Sequence, residues 1–269
     1  MTYARPPFEI IRDPREMRAR TEDLRRDGRK IAVVPTMGAL HDGHVALLRA
    51  ARQENETVVM SLFVNPAQFD ERADLDAYPR DEARDLAIAE RAGVDVVFAP
   101  KADELYPPGF TTWVDPGEAG AEGAARPGHF RGVATVCLKL FNLVRPERAY
   151  FGQKDAQQAT VVRRLARDLN VPVEIRIVPT VRDSDGLALS SRNGRLSPEE
   201  RERALGLPWA LASAAGAPDP VAAARGSLNG LEPEYVEVLD LGDAKVLAAA
   251  IRVGSTRLID NVLLEGEIR

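Results

Sequence analysis

The order of apolar and polar positions divides this 269-residue chain into two unlike parts. In the first, short uninterrupted apolar runs alternate with stretches whose apolar residues recur every three or four positions, the pattern of buried strands followed by amphipathic helices. Residues 31–34 (IAVV), 57–64 (TVVMSLFV), 95–99 (DVVFA), 148–151 (RAYF) and 173–178 (VEIRIV) read as strands. Pro35, Asn65 with Pro66, and Pro100 read as stops after the first three. The stretch carrying Val45, Leu47, Leu48 and Ala51 reads as a helix, as do residues 79–93, 130–144, and the run from GQKDAQQ to about Asn170. Asp13, Pro14 and Glu16 have the form of a capping box opening a helix that ends near Gly28.

Strand and helix in alternation predict parallel strands joined by right-handed crossovers. The fold class is therefore α/β: a Rossmann-like, doubly wound parallel sheet over residues 1–182, with its ligand site beyond the carboxyl ends of the strands. Residues 107–128 break the pattern with Gly, Pro, Ala and acidic residues. They read as a loop at the site mouth or at an oligomer contact, with a short strand at 111–114. Residues 183–269 differ. Alanine-rich helices at 198–212 and 220–227 precede strands at 235–241, 248–253 and 256–264, predicting a smaller α+β C-terminal lid domain.

Composition narrows the function classes. A net charge of −5 leaves no overall basic footprint for nucleic acid, and no apolar run is long enough to cross a bilayer. The N-terminus, MTYARPPFEIIRD, lacks the apolar core of a signal peptide, so the expected location is cytoplasmic. The single cysteine, Cys137, falls among Val133, Val136, Leu140 and Leu143 on an apolar helical face and reads as packing. A cysteine-based metal centre is excluded.

Four segments carry chemistry: PTMGALHDGH, FVNPAQF, GQKDAQQ and DGLALSSRN. The first joins a strand to a helix. Backbone N–H groups at a helix start, aided by the helix dipole, attract phosphate, and Gly38 and Gly43 permit a sharp turn and close approach. His41 and His44 stand where those phosphates would lie, or are merely hydrogen-bonded in a plain strand-to-helix connection. Gln68 and Gln158 can both donate and accept, which suits a carboxylate or hydroxyl, though a loop glutamine is more often simply solvated. Lys154 with Asp155 could meet a phosphate and a ribose or metal, or form a surface ion pair. Ser190, Ser191 and Arg192 suit polyphosphate, or make a plain turn. Neither G-x-x-x-x-G-K-[ST] nor G-x-G-x-x-G after a strand is present.

PTMGALHDGH, SLFVNPAQF, YPRD at Tyr78, RPGHFRGV from Arg126, GQKDAQQ and LSSRN follow one another between residues 33 and 193. In this order they resemble the AMP-forming pantoate–β-alanine ligases, the pantothenate synthetase family of the nucleotidylyltransferase superfamily. H-x-G-H alone is shared across that superfamily; NPxQF and G-x-KD-x-x-Q are more specific. The resemblance implies an enzyme that binds ATP with Mg²⁺, pantoate and β-alanine, forms pantoyl adenylate and pyrophosphate, then pantothenate and AMP, and is a homodimer. It implies His44, His41, Lys154 and Arg192 as catalytic residues. It places Met37, Gly38, Ala39, Leu40, His41, Asp42, Gly43, His44, Gly152, Gln153, Lys154, Asp155, Val181, Leu189, Ser190, Ser191 and Arg192 around ATP, and Gln68 and Gln158 around pantoate, with Gln68 also near β-alanine. No metal ligand is assigned, although Asp85 could assist magnesium from what reads as an exposed helix.

The chain departs from the family in having GQKD where GEKD is common, expected to matter little for the chemistry, and in a short tail broken by Gly206, Pro208 and Gly216. Another H-x-G-H enzyme, passing AMP or CMP to a phosphate acceptor, would favour Lys or Arg where Gln68 and Gln158 stand. A nucleotide sensor without turnover would not need His44, Lys154 and Arg192 intact.

Overall fold

A computed structural model describes residues 8–70, 72–117, 120–228, 230–242 and 244–267. Residues 1–7, the start of the segment read above as lacking a leader's apolar core, lie outside the described residues. The elements of the first part, in chain order, are β1 (Glu9–Ile11), α1 (Pro14–Arg26), β2 (Ile31–Thr36), α2 (Asp42–Glu54), β3 (Thr57–Leu62), α3 (Arg72–Asp76), α4 (Glu82–Arg91), β4 (Val96–Phe98), α5 (Ala102–Leu105), α6 (Gly120–Ala125), α7 (His129–Val144), β5 (Arg148–Gly152), α8 (Ala156–Asp168) and β6 (Glu174–Val178). The six strands form one parallel sheet in the order β1-β4-β3-β2-β5-β6.

Both faces are covered, which is why the strands read as continuous apolar runs. Ile31, Val33 and Val59 pack with Met17 and Leu24 of α1, the apolar stripe of α7, and Val162 and Leu165 of α8. Ala32, Val34, Val58 and Met60 pack on the other face with Leu47, Leu48 and Ala51 of α2 and Ala89 of α4.

The predicted fold class holds, with local corrections. Pro35 does not end its strand. The Ile31 carbonyl accepts from Glu147 beside β5 and the Thr36 carbonyl from Phe63 beside β3, so odd-numbered β2 residues face β5. Pairing with β5 involves only Ala32 and Val33. At Pro35 the missing N–H would point where that ladder has already stopped. The three-residue β1 and the five-residue α3 are too short for periodicity to reveal. Residues 111–114 form no strand in this chain, and α6 occupies part of the stretch read as loop.

The second part contains α9 (Pro198–Ala204), α10 (Gly206–Ala214), α11 (Pro220–Ser227) and an antiparallel sheet β7-β8-β9: β7 (Pro233–Asp240), β8 (Ala244–Val253) and β9 (Thr256–Gly266). The single helix predicted over 198–212 is two, separated at Leu205. Its own core joins Leu207, Leu211 and Ala224 to Val236, Leu247, Ala249 and Ile251. The opposite sheet face presents Tyr235, Ala248 and Ala250, against which Ala121 packs from the first part.

Candidate active site at the switch point of the sheet

From β2 the chain builds outward through β3 and β4, and from β5 it builds the other way to β6, so the order reverses between β2 and β5. A crevice opens at the carboxyl ends of strands at such a point. Here it is a cavity of about 880 Å³, walled by the turns after β2, β3 and β5, by α7, and by the loop and sheet of the second part.

The turn after β2 enters α2 through a reciprocal cap made by two histidines. His41, at the N-cap with extended backbone, accepts the Gly43 N–H on Nδ1 at 3.2 Å, and His44 Nδ1 accepts the His41 N–H at 3.2 Å. A Cβ at Gly43 would lie 2.9 Å from the His41 ring, so only glycine allows this cap. The ring centroids are 4.1 Å apart. Because each Nδ1 accepts, the neutral rings carry their hydrogen on Nε2. Burial, then Lys154, lowers His41 to about 4; burial, then His41 and Lys154, lowers His44 to about 3. At neutral pH the pair is uncharged and offers two N–H donors.

Asp85 corrects an expectation. It is only 2% exposed and does not line the cavity. Its two carboxylate oxygens accept the Ala39 and Leu40 N–H groups at 2.8 Å each. Gly38 and Ala39 sit at φ +81° and +50°, so the carboxylate holds a left-handed bend that an L-residue adopts only under strain. Asp85 is thus an anchor for the turn, already committed on both oxygens.

After β3, Gln68 lies in a 3-10 turn (Pro66–Gln68) against α7, where Gly132 approaches so closely that a Cβ would sit 2.2 Å from the Ala67 carbonyl. Asn65 donates to Gln68 Oε1 at 2.9 Å, and Gln68 Nε2 points to the Met37 sulfur at 3.2 Å. After β5, a 3-10 turn (Gln153–Asp155) leads into α8. Lys154 reaches the cavity, with Nζ 3.7 Å from Asp155. Gln158 also lines it, and among the described residues no hydrogen bond engages its side chain.

Ser190 caps the 3-10 turn Ser191–Arg195 by accepting the Arg192 N–H at 3.2 Å. Arg192 pairs with Asp74 of α3 at 2.9 Å, and Arg195 binds the same carboxylate at 3.2 Å. Burial would raise the Asp74 carboxyl, but these two guanidinium groups outweigh it and hold it below the usual range.

Of the residues singled out in the sequence, Met37, His41, Gly43, His44, Gln68, Gly152, Lys154, Asp155, Gln158, Val181, Leu189, Ser190, Ser191 and Arg192 line the one cavity. Gly38, Ala39, Leu40, Asp42 and Gln153 do not. Leu40 is a core residue and Asp42 is exposed on the first turn of α2. Gln153 turns away to donate to Asn261 at 2.9 Å and accept from Thr180 at 3.3 Å.

Sequence reasoning missed Asn65, Asp74, Arg126 and His129 as site residues. His129 and Arg126 were in view within RPGHFRGV. The His129 Nδ1 lies 2.8 Å from the Gln68 carbonyl, so it donates, and its neutral ring carries the hydrogen on Nδ1, opposite to His41 and His44. Burial, then Arg126, lowers it to about 4. Asp74 meets Arg195 across 121 positions, beyond any local signal. An apolar wall of Phe63, Val133, Val136, Cys137 and Leu140 completes the cavity. Burial pushes the Cys137 thiol up to about 12, so it serves as wall and not as nucleophile.

The sequence model of the pantoate-beta-alanine ligase family matches residues 9–263. Pantothenate synthetase 1 of Bradyrhizobium diazoefficiens is 49% identical, the match covering 96% of this chain and 98% of that one. Pantothenate synthetase of Heliobacterium modesticaldum is 50% identical over 96% and 100%. Among solved structures, pantothenate synthetase of Thermus thermophilus superposes with a TM-score of 0.88 at 43% identity, over 96% of this chain and 99% of that one. Pantoate-beta-alanine ligase of Francisella tularensis, complexed with beta-gamma ATP and beta-alanine, gives 0.83 at 34% identity, over 97% and 99%.

Proposed function

The chain belongs to the pantoate–β-alanine ligase family, and from that premise we propose that it condenses pantoate with β-alanine at the expense of ATP, giving pantothenate, AMP and pyrophosphate. The observation that carries the residue assignment is the pair of neutral, N–H-donating histidines facing Lys154 across the switch-point cavity. In the first step a pantoate carboxylate oxygen bonds to the α-phosphorus of ATP, the bond from that phosphorus to the bridging oxygen breaks, and pyrophosphate leaves. In the second, the β-alanine amine attacks the acyl carbon, the acyl–oxygen bond breaks, AMP leaves and the amine loses a proton.

A carboxylate is already ionised at neutral pH, so the first step needs charge neutralisation and not a base. His41 and His44 donate through Nε2 to oxygens of the reacting phosphate, and Lys154 supplies positive charge that neutral imidazoles do not. Ser190, Ser191 and Arg192 meet the leaving pyrophosphate, which competes with Asp74 for Arg192. Gln68 and Gln158 orient pantoate, whose apolar body rests on the α7 wall. Mg²⁺ enters with ATP as part of the substrate: Asp85 is committed to backbone, Asp74 to arginines, and among the described residues no cluster of three or more His, Cys, Asp or Glu stands ready for a metal.

Residues 183–269 act as a lid domain whose Ser190–Arg192 loop closes one side of the nucleotide. The enzyme works as a cytoplasmic homodimer; the half-buried Phe110 and Trp113, in the stretch between α5 and α6 that forms no strand, support a subunit contact there. Among the described residues no helix is long and apolar enough to cross a membrane. Exchange of labelled pyrophosphate into ATP tests the function: it is expected with pantoate present and β-alanine absent, and exchange that ignores pantoate overturns it.

A further inference from the structure

Lys154 sits in a 3-10 turn between β5 and α8, and its position is set from the second part of the molecule. Asn261, on β9 and 1% exposed, inserts its side-chain amide beneath that turn. Its Nδ2 donates to the Gln153 carbonyl at 2.8 Å and to the Lys154 carbonyl at 3.1 Å. Its Oδ1 accepts from Gln153 Nε2 at 2.9 Å. Both hydrogens and one lone pair of the oxygen are thereby used on two consecutive residues, at the border of the cavity.

The strand from which Asn261 reaches is itself fixed. The neighbouring Asp260, 2% exposed, takes both terminal nitrogens of Arg182 at 2.6 and 3.0 Å and accepts the Asn261 N–H at 2.8 Å. Arg182 directly follows Val181, which lines the cavity. Two adjacent β9 residues therefore grip the turn after β5 and the segment after β6, which both border the cavity.

We propose that Asn261 is a positioning residue for Lys154: it fixes the Gln153–Lys154 backbone so that the ammonium group is held at the phosphates without Asn261 touching them. The proposal rests on the reading of Lys154 as the cation of the adenylation step. Losing the amide removes two donors from the turn, and a displacement of an ångström at a reacting group is enough to slow chemistry on the order of 100-fold.

A double-mutant cycle separates this role from general support of the fold. Asn261→Ala, Lys154→Ala and the double variant are compared in two readouts, calorimetric binding of α,β-methylene ATP and pantoate-dependent pyrophosphate exchange. Asn261→Ala alone is expected to weaken the analogue about 10-fold and slow exchange between about 10- and 100-fold. In the Lys154→Ala background the same substitution is expected to cost less than about twofold in either, since its target is gone. Equal losses in both backgrounds, or none in the first, overturn the proposal. If Asn261→Ala does not fold, Asn261→Ser, which keeps one donor, carries the same cycle. A non-additive cycle in analogue binding, with no pantoate-dependent exchange by the unsubstituted enzyme, leaves the positioning role standing and removes pantoate as the substrate.

Discussion

The turns after β2 and β5 face each other across the cavity and are held in opposite ways. The β2 turn is held mainly by itself: His41, Gly43 and His44 cap one another within three positions, with Asp85 as a distant brace. The β5 turn is held from across the molecule, by Asn261, 107 and 108 positions further on. The first supplies uncharged donors of set direction, the second a mobile point charge on a long stem that needs its base fixed. A donor pair can be preorganised by a helix cap, whereas a lysine depends on whatever immobilises its backbone.

The contrast is broken most forcefully at the donors. His44→Ala is expected to lower turnover between about 100- and 1,000-fold while the pantoate KM changes little, because the lost hydrogen bond serves charge that develops in the transition state. Steady-state kinetics decide it, and an unchanged turnover number removes the β2 turn from its role. Next in size, Asp85→Ala leaves the Ala39 and Leu40 N–H groups without their acceptor, at about 1–3 kcal/mol each, and lets the bend at Gly38 relax. A turnover loss of about 10- to 100-fold is expected together with a lower denaturant midpoint. Lost magnesium dependence with full stability would instead make Asp85 a metal ligand.

These two cases also mark what the sequence made legible. Parallel α/β order, the H-x-G-H turn and the neighbouring glycines could be read because their causes are local: apolar runs, a helix start, a ring packed against a glycine. Asp85 misled because a charged residue on a helix with polar neighbours looks solvated, and only the tertiary approach of the Gly38 bend buries it. Asp74 and Asn261 were silent because each acts on a partner that sequence distance hides, and Asn65 because it read as the stop of a strand. Pro35 misled for the same reason, since the harmlessness of its missing N–H depends on where β5 stops.

Gln158→Ala sharpens the comparison from the β5 side. The pantoate KM is expected to rise about fivefold to tenfold, the value of one hydrogen bond, with ATP affinity unchanged by calorimetry. A fall in ATP affinity instead would remove Gln158 from pantoate and assign it to the nucleotide. The smallest effect is with pH. The folded histidines, at about 4 for His41 and about 3 for His44, lie below the ordinary 6.5, so they stay neutral and pantoate-dependent exchange should vary less than about twofold between pH 6 and 8. An imidazole of ordinary pKa would be about three-quarters protonated at pH 6, and a limb of that size would contradict the neutral pair. Stability moves with the opposite sensitivity: below about pH 6.5 the unfolded chain takes up protons that the folded histidines refuse, so stability falls with pH until the folded values are passed.

The most direct measurement follows the oxygen atoms. If the carboxylate of pantoate attacks the α-phosphate at this pair of turns, pantoate labelled with oxygen-18 in its carboxylate must deliver one labelled oxygen to AMP when β-alanine displaces it. Mass spectrometry of the AMP is expected to show a single incorporated label and unlabelled pyrophosphate. AMP without label, or label in pyrophosphate or inorganic phosphate, would contradict the adenylate route and with it the roles given to both turns.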